Sequence, residues 1–99
     1  MGPIMQGIKR IRSREAVLQV DGRTSFLVVY KKGKAFSARG YIYDTMDDLP
    51  NLAEEIAKHL GHIKIRKLYY KKSQKRAMWY LLGLLRRYFP GMTEFPEEK

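Results

Sequence analysis

Lysine, arginine and large aromatic residues crowd into residues 73–89, SQKRAMWYLLGLLRRYF, in an order suited to holding an anion. Wound as an α-helix at about 100° per residue, the segment separates into two faces. One carries Ala77, Met78, Leu81, Leu82, Leu84, Leu85, Tyr88 and Phe89. The other carries Lys75, Arg76, Arg86 and Arg87, with Trp79, Tyr80 and Gly83 between them, and it holds no acid. A solvated helix face ordinarily mixes Glu with Lys, because opposite charges four residues apart stabilise each other. This face accepts repulsion between like charges and leaves two large rings outward. Such groups bind phosphates and stack on bases, and Gly83 lets a backbone come close. The same face would also serve a helix–helix contact through Gly83, or docking on an acidic protein.

The preceding segment extends the pattern. Lys64, Arg66, Lys67, Lys71 and Lys72 surround Leu68, Tyr69 and Tyr70. Basic residues interleaved with aromatics on a strand make a groove floor for single-stranded nucleic acid. Phosphate contacts are therefore expected from Lys64, Arg66, Lys67, Lys71, Lys72, Lys75, Arg76, Arg86 and Arg87. Stacking is expected from Tyr69, Tyr70, Trp79 and Tyr80. A third basic group, Arg10, Arg12 and Arg14 with Lys31, Lys32 and Lys34 at a hairpin tip, is also explained as protection of an exposed sheet edge.

Other chemistries find less support. Asp44, Asp47, Asp48, Glu54 and Glu55 form an acidic island that could hold a divalent metal, but Asp47 and Asp48 suit a helix start and Glu54 and Glu55 a solvated helix face. His59 and His62 have a ligand-like spacing without a third partner. The serines lack a Gly-rich elbow, and there is no P-loop, dinucleotide fingerprint or CxxC pair. No catalytic residue, metal or cofactor is expected.

The whole chain agrees with an anionic partner. Its 99 residues carry a formal charge of +10, unevenly spread. Residues 62–89 hold nine Lys and Arg and no acid, whereas residues 44–61 hold five carboxylates against Lys58. A polyanion is the first partner such a balance suggests, with an acidic protein next. Cysteine is absent, so disulfides and Cys-based zinc sites are excluded. The longest apolar run, Ala77 to Leu85, is too short to span a bilayer. The opening MGPIMQGIKR lacks a signal-peptide stretch, and an intracellular, cytoplasmic setting is expected. A membrane partner is not expected, because the apolar face of residues 73–89 is needed to complete so small a core.

These residues need elements to position them. Ala16–Val20 reads as a strand, Asp21-Gly22 as a tight turn, and Thr24–Tyr30 as the returning strand. Ala35–Tyr43 follows a lysine-rich turn as a third strand, in which Gly40 marks a bulge or close approach. Residues 8–15 offer an additional strand. Leu49, Leu52, Ala53, Ile56, Ala57 and Leu60 share one helical face, which Pro50 starts and a left-handed Gly61 ends. His62–Tyr70 alternates as a strand with Ile63, Ile65, Lys67 and Tyr69 on one side, and Ser73 caps the basic helix. The expected fold is α+β: one small domain over residues 8–91 with a three- to four-stranded, mostly antiparallel sheet in the order β-β-β-α-β-α, and two helices. Residues 1–7 are expected to fray, and residues 92–99 form an acidic C-terminal tail.

The element order, with VLQVDG, the hairpin YKKGKAFSARGY, a helix bearing Glu54 or Glu55, and LYYKKSQ, resembles the first part of an RNase H-like domain over about residues 16–85. That family sets one acid in the first strand, one in the first helix and one at the end of the fourth strand. Asp21 and Glu54 or Glu55 take the first two places, and Lys71 or Lys72 stands at the third. The resemblance thus implies a copy that binds nucleic acid without cutting it. From residues and resemblance alike, the expected function is non-enzymatic binding of DNA or RNA through residues 64–87. The alternative is a protein-interaction module, an inhibitor or assembly factor, homodimeric in one version, that sets the same helix on an acidic partner.

Overall fold

The computed structural model describes residues 15–31 and 34–99. The expected strand through Arg10, Arg12 and Arg14, the fraying of residues 1–7, and the turn residues Lys32 and Gly33 lie outside the described residues.

Alternating side chains build the first hairpin. In β1 (Glu15–Asp21), Ala16, Leu18 and Val20 are buried and the residues between them are half-buried. Asp21 pairs with Thr24, which makes Gly22 and Arg23 the two turn residues, one position later than the sequence suggested. Gly22 takes φ +64°, the conformation in which a side chain at that position is strained. The chain returns antiparallel as β2 (Thr24–Lys31) and again as β3 (Lys34–Ile42). The β3 irregularity falls where Tyr30 meets Ala35, so the extra residue is Phe36, while Gly40 pairs in register with Phe26.

Helix α1 (Leu49–Leu60) follows a short 3-10 turn at Met46–Asp48. It buries Leu49, Leu52, Ala53, Ile56 and Leu60, as its spacing predicts, while Ala57, expected on the same face, is half-buried. Gly61 ends it at φ +60° and ψ −110°, outside the left-handed helical region, with its N–H donating to the Ala57 carbonyl. Strand β4 (Lys64–Tyr70) then returns beside β1 and parallel to it. Helix α2 (Lys75–Tyr88) buries Ala77, Met78, Leu81, Leu82 and Leu85, while Leu84 and Phe89 pack at the margin and Tyr88 stays exposed. A two-residue strand, β5 (Glu97–Glu98), runs parallel to the end of β4.

The result is a small α+β domain with two helices and a sheet ordered β3-β2-β1-β4-β5. Most paired residues are antiparallel, and the sheet has five strands where three or four were expected. Both helices cover one face and share one core with Leu18, Leu27, Val29 and Leu68. Each fully buried Leu or Val contributes about 1.5–3 kcal/mol relative to exposure. The opposite sheet face carries Val17, Gln19, Val28, Tyr30, Lys67 and Tyr69, all half-exposed.

One irregularity sets the geometry of β4. Ala16 pairs with Ile65 but Val17 pairs with Lys67, leaving Arg66 as an extra residue. The side-chain alternation therefore flips. Ile65, Leu68 and Tyr70 point to the helices, and Lys67 and Tyr69 to the open face, so Ile65 does not share a side with Lys67 and Tyr69.

Candidate functional site

The parallel strands β1 and β4 end side by side, tied by the Lys71 N–H donating to the Val20 carbonyl at 3.1 Å. Beyond that point the chain makes the 3-10 turn Lys72–Gln74 and enters α2. Lys71, Lys72, Lys75 and Arg76 are all exposed at this helix start, and none makes an ion pair among the described residues. The first turn holds no acid, and no side chain caps it. Ser73 is not the cap that the sequence suggested: Gln74 occupies that position, and its side-chain oxygen accepts the Tyr43 hydroxyl at 2.6 Å. That hydroxyl is held above its usual pKa, first by burial and then by the nearby Asp21 carboxylate.

Along α2 the exposed strip continues through Trp79 and Tyr80, 43% and 45% exposed, to Arg87. It passes Gly83, where a β-carbon would meet nothing within 4 Å. Arg76 and Arg86 lie ten residues apart, or about 15 Å at 1.5 Å per residue. The strip is one continuous surface of cations and free ring faces.

The strand residues join it only in sequence. Because α2 packs on the helical face of the sheet, Lys67 and Tyr69 lie on the opposite face. Tyr70 is 7% exposed and belongs to the core, so its ring offers no stacking surface. The flip at Arg66 puts it there. Arg66 is paired with Glu15 at 3.0 Å, and Lys67 with Glu97 at 3.0 Å. The Lys67 ammonium is held above its usual range, chiefly by that hydrogen bond to Glu97. Lys99 sits over the Tyr69 ring at 5.1 Å, and the Arg86 guanidinium over Phe95 at 5.4 Å. Of the thirteen expected contact residues, the structure thus gathers Lys71, Lys72, Lys75, Arg76, Trp79, Tyr80 and Arg87 into one free surface. Arg86 is at its end, Lys64 at the far end of β4.

Phe95, Glu97 and Lys99, which hold three of those residues, were missed in the sequence. The available signal was charge: acids at 94, 97 and 98 follow a strand rich in lysine and arginine.

The acidic island is dispersed. Asp44 pairs with Arg23, and Glu54 and Glu55 both face Lys58, at 3.3 and 3.9 Å. Asp48 accepts the N–H groups of Asp44 at 2.8 Å and Thr45 at 3.2 Å, which lowers its pKa. Among the described residues no three His, Asp or Glu side chains converge. His59 meets the Ser37 hydroxyl at 3.4 Å, while His62 lines a groove of about 470 Å³ with Ile63, Tyr88 and Phe89. No helix among the described residues is long and apolar enough to cross a membrane.

The sequence matches no family model and no curated protein. The fold, in contrast, has solved counterparts. A PPX-GPPA enzyme of Aquifex aeolicus superposes with a TM-score of 0.59 at 16% identity, over 86% of this chain and 36% of that one. The type II variant of the Aquifex aeolicus Ppx/GppA phosphatase gives 0.59 at 13% identity, over 88% and 36%. A Bacteroides thetaiotaomicron protein with an actin-like ATPase fold and unknown function gives 0.54 at 13% identity, over 88% and 34%. The likeness is one of fold, and the chain spans about a third of the length of these structures.

Proposed function

We propose that this domain binds nucleic acid without cutting it, through the start and exposed face of α2. The observation that carries the reading is the uncapped helix start where Lys71, Lys72, Lys75 and Arg76 meet no acid. A helix N-terminus already carries about half a positive charge, so four cations there destabilise the free protein. A phosphate chain relieves that repulsion. The location also supports it: in open α/β sheets, ligands sit outside the carboxyl ends of parallel strands. Trp79 and Tyr80 then supply stacking surfaces along the strip. Binding without cleavage is favoured because Lys71 stands beside the end of β1, where the RNase H-like resemblance calls for an acid. The phosphatases that share the fold contribute no residue-level support, since the likeness covers a third of their chains.

Fluorescence polarisation with single- and double-stranded DNA and RNA of one length, over a salt series, tests the reading. Micromolar or tighter binding with a steep negative log–log salt slope is expected, and the preferred strand type names the substrate class. Equal, weak binding to every polymer that vanishes by physiological salt would reject it.

One observation favours a second reading. Trp79 and Tyr80 are both more than 40% exposed on the free face of the helix, an aromatic pair that also fits docking on an acidic protein. Tight binding to such a partner with no affinity for generic nucleic acid distinguishes the two.

A further inference from the structure

Residues 92–99 engage one residue of α2 and two of the open sheet face as a ligand would. The Glu97 carboxylate takes Lys67 Nζ at 3.0 Å, the position of a phosphate oxygen on that lysine. Lys99 covers the Tyr69 ring at 5.1 Å, where a base would stack, and its Nζ donates to Gln19 Oε1 at 2.9 Å. Phe95 lies 5.4 Å from the Arg86 guanidinium. One acidic segment therefore occupies three expected contact residues on two elements.

The hold is slight. The pairing to β4 covers only Tyr69 with Glu97 and Tyr70 with Glu98, followed by the Lys99 N–H on the Tyr70 carbonyl at 2.9 Å. Phe95 is 64% exposed, and the Lys67–Glu97 pair is open to solvent on both sides. Exposed ion pairs contribute little, and short, poorly buried segments open locally at low cost. None of these contacts reaches the start of α2, so an incoming phosphate chain has a place to land first.

We infer that residues 92–99 are a displaceable occupant of Arg86, at the end of α2, and of Lys67 and Tyr69, on the open sheet face, competing with nucleic acid for all three. This rests on the nucleic-acid reading above. A strand bound along α2 passes from Arg86 around the β4 edge to Lys67 and Tyr69 only by lifting the segment off β4. The device raises the threshold for binding: short ligands that reach only the start of α2 leave the segment in place, and longer ones displace it.

The test uses the full chain with three point variants. Glu97→Gln and Glu98→Gln change the net charge equally, but only Glu97 holds a lysine among the described residues. Phe95→Ala changes no charge and frees Arg86. Glu97→Gln and Phe95→Ala are expected to tighten binding of single-stranded DNA about twofold to fivefold, and Glu98→Gln less than either. Backbone amide exchange of Lys99 in the unaltered protein is expected to speed up when DNA is added. Equal effects of the two glutamate variants, with none from Phe95→Ala, would show bulk charge alone and overturn the competition while leaving the binding reading intact. Slower exchange at Lys99 on DNA addition overturns it as well. Failure of every variant to bind any polymer overturns both.

Discussion

The 3-10 turns that lead into the two helices of this domain are built in opposite ways. At α1, the Asp48 carboxylate accepts the N–H groups of Asp44 and Thr45, Asp47 stands beside it, and Pro50 follows at the first turn. These bonds close the turn before the helix, and its acids suit the helix dipole, although no side chain caps α1 itself. At α2, the first turn is basic, no acid is present, and no side chain caps it. The helices share one core and bury their apolar faces alike. What differs is the charge that the preceding turn sets against the helix dipole. A helix start that follows two acids needs no anionic ligand. One that gathers four cations at its positive end is stabilised by an anion from outside. The contrast supports the proposed site at α2 and a structural role for the acids before α1.

Reversing charge at α2 breaks that contrast with the largest effect. The double change Lys72→Glu, Arg76→Glu should weaken nucleic-acid binding on the order of a hundredfold near 0.1 M salt and flatten the log–log salt slope by about two. The same acids sit well at a helix N-terminus, so the variant should be more stable, by about 0.3–1 kcal/mol per site at low ionic strength. Titration by polarisation and thermal melts of the same samples check both. Lost binding with raised stability is the signature of a helix start kept basic for a ligand. Lost binding with lost stability would mean that the lysine and arginine side chains support the fold.

Much of this was legible in the sequence, for physical reasons that also explain the misses. The apolar spacing in residues 49–60 and 77–85 dictates both helices, because a 3.6-residue period admits one buried face. Alternation gave β1 and β2. Strand β4 is different: a single extra residue at Arg66 reverses every side chain after it, and nothing in KIRKLYY marks the bulge. Tyr70 consequently moved from the expected surface into the core. The partners of Lys67, Tyr69 and Arg86 come from residues 95–99, about 10 to 30 positions away, and contacts at that separation depend on the assembled sheet. The basic strip of α2 depends on one helix alone and so is legible from Lys75 to Arg87, apart from Arg86, which meets Phe95.

Aromatic exposure sharpens the same comparison at smaller scale. Trp79 lies on the exposed face, whereas Tyr70 lies in the core. Trp79→Ala should weaken binding to single strands roughly tenfold, in line with about 1–3 kcal/mol for a base stacked on an aromatic ring. The melting temperature should change little. Tyr70→Ala should do the reverse, costing roughly 3 kcal/mol or more of stability through the cavity it leaves, with binding affected only as the fold is lost. Chemical denaturation beside polarisation separates the two. A Trp79→Ala protein that binds normally would leave phosphate contact alone as the basis of affinity, and would favour docking by Trp79 on a protein partner.

The smallest expected effect belongs to the satisfied helix start, and its pH dependence gives its sign. Asp48 is held below the ordinary carboxylate range, first by the Asp44 N–H and then by the Thr45 N–H. A lowered folded-state pKa means that the unfolded chain takes up the proton first as pH falls. The contribution of Asp48 is thus fully present above the ordinary aspartate range of about 4 and is lost as pH falls through the folded-state value. Asp48→Asn should lower the melting temperature at neutral pH, and the gap from the unaltered protein should close in acid. At Lys75, where α2 offers no such acid, Lys75→Gln should raise the neutral-pH melting temperature slightly, because it removes a cation from a positive helix end. A gap at Asp48 that stays constant with pH would place its role in packing, and the two helix starts would then differ in charge alone.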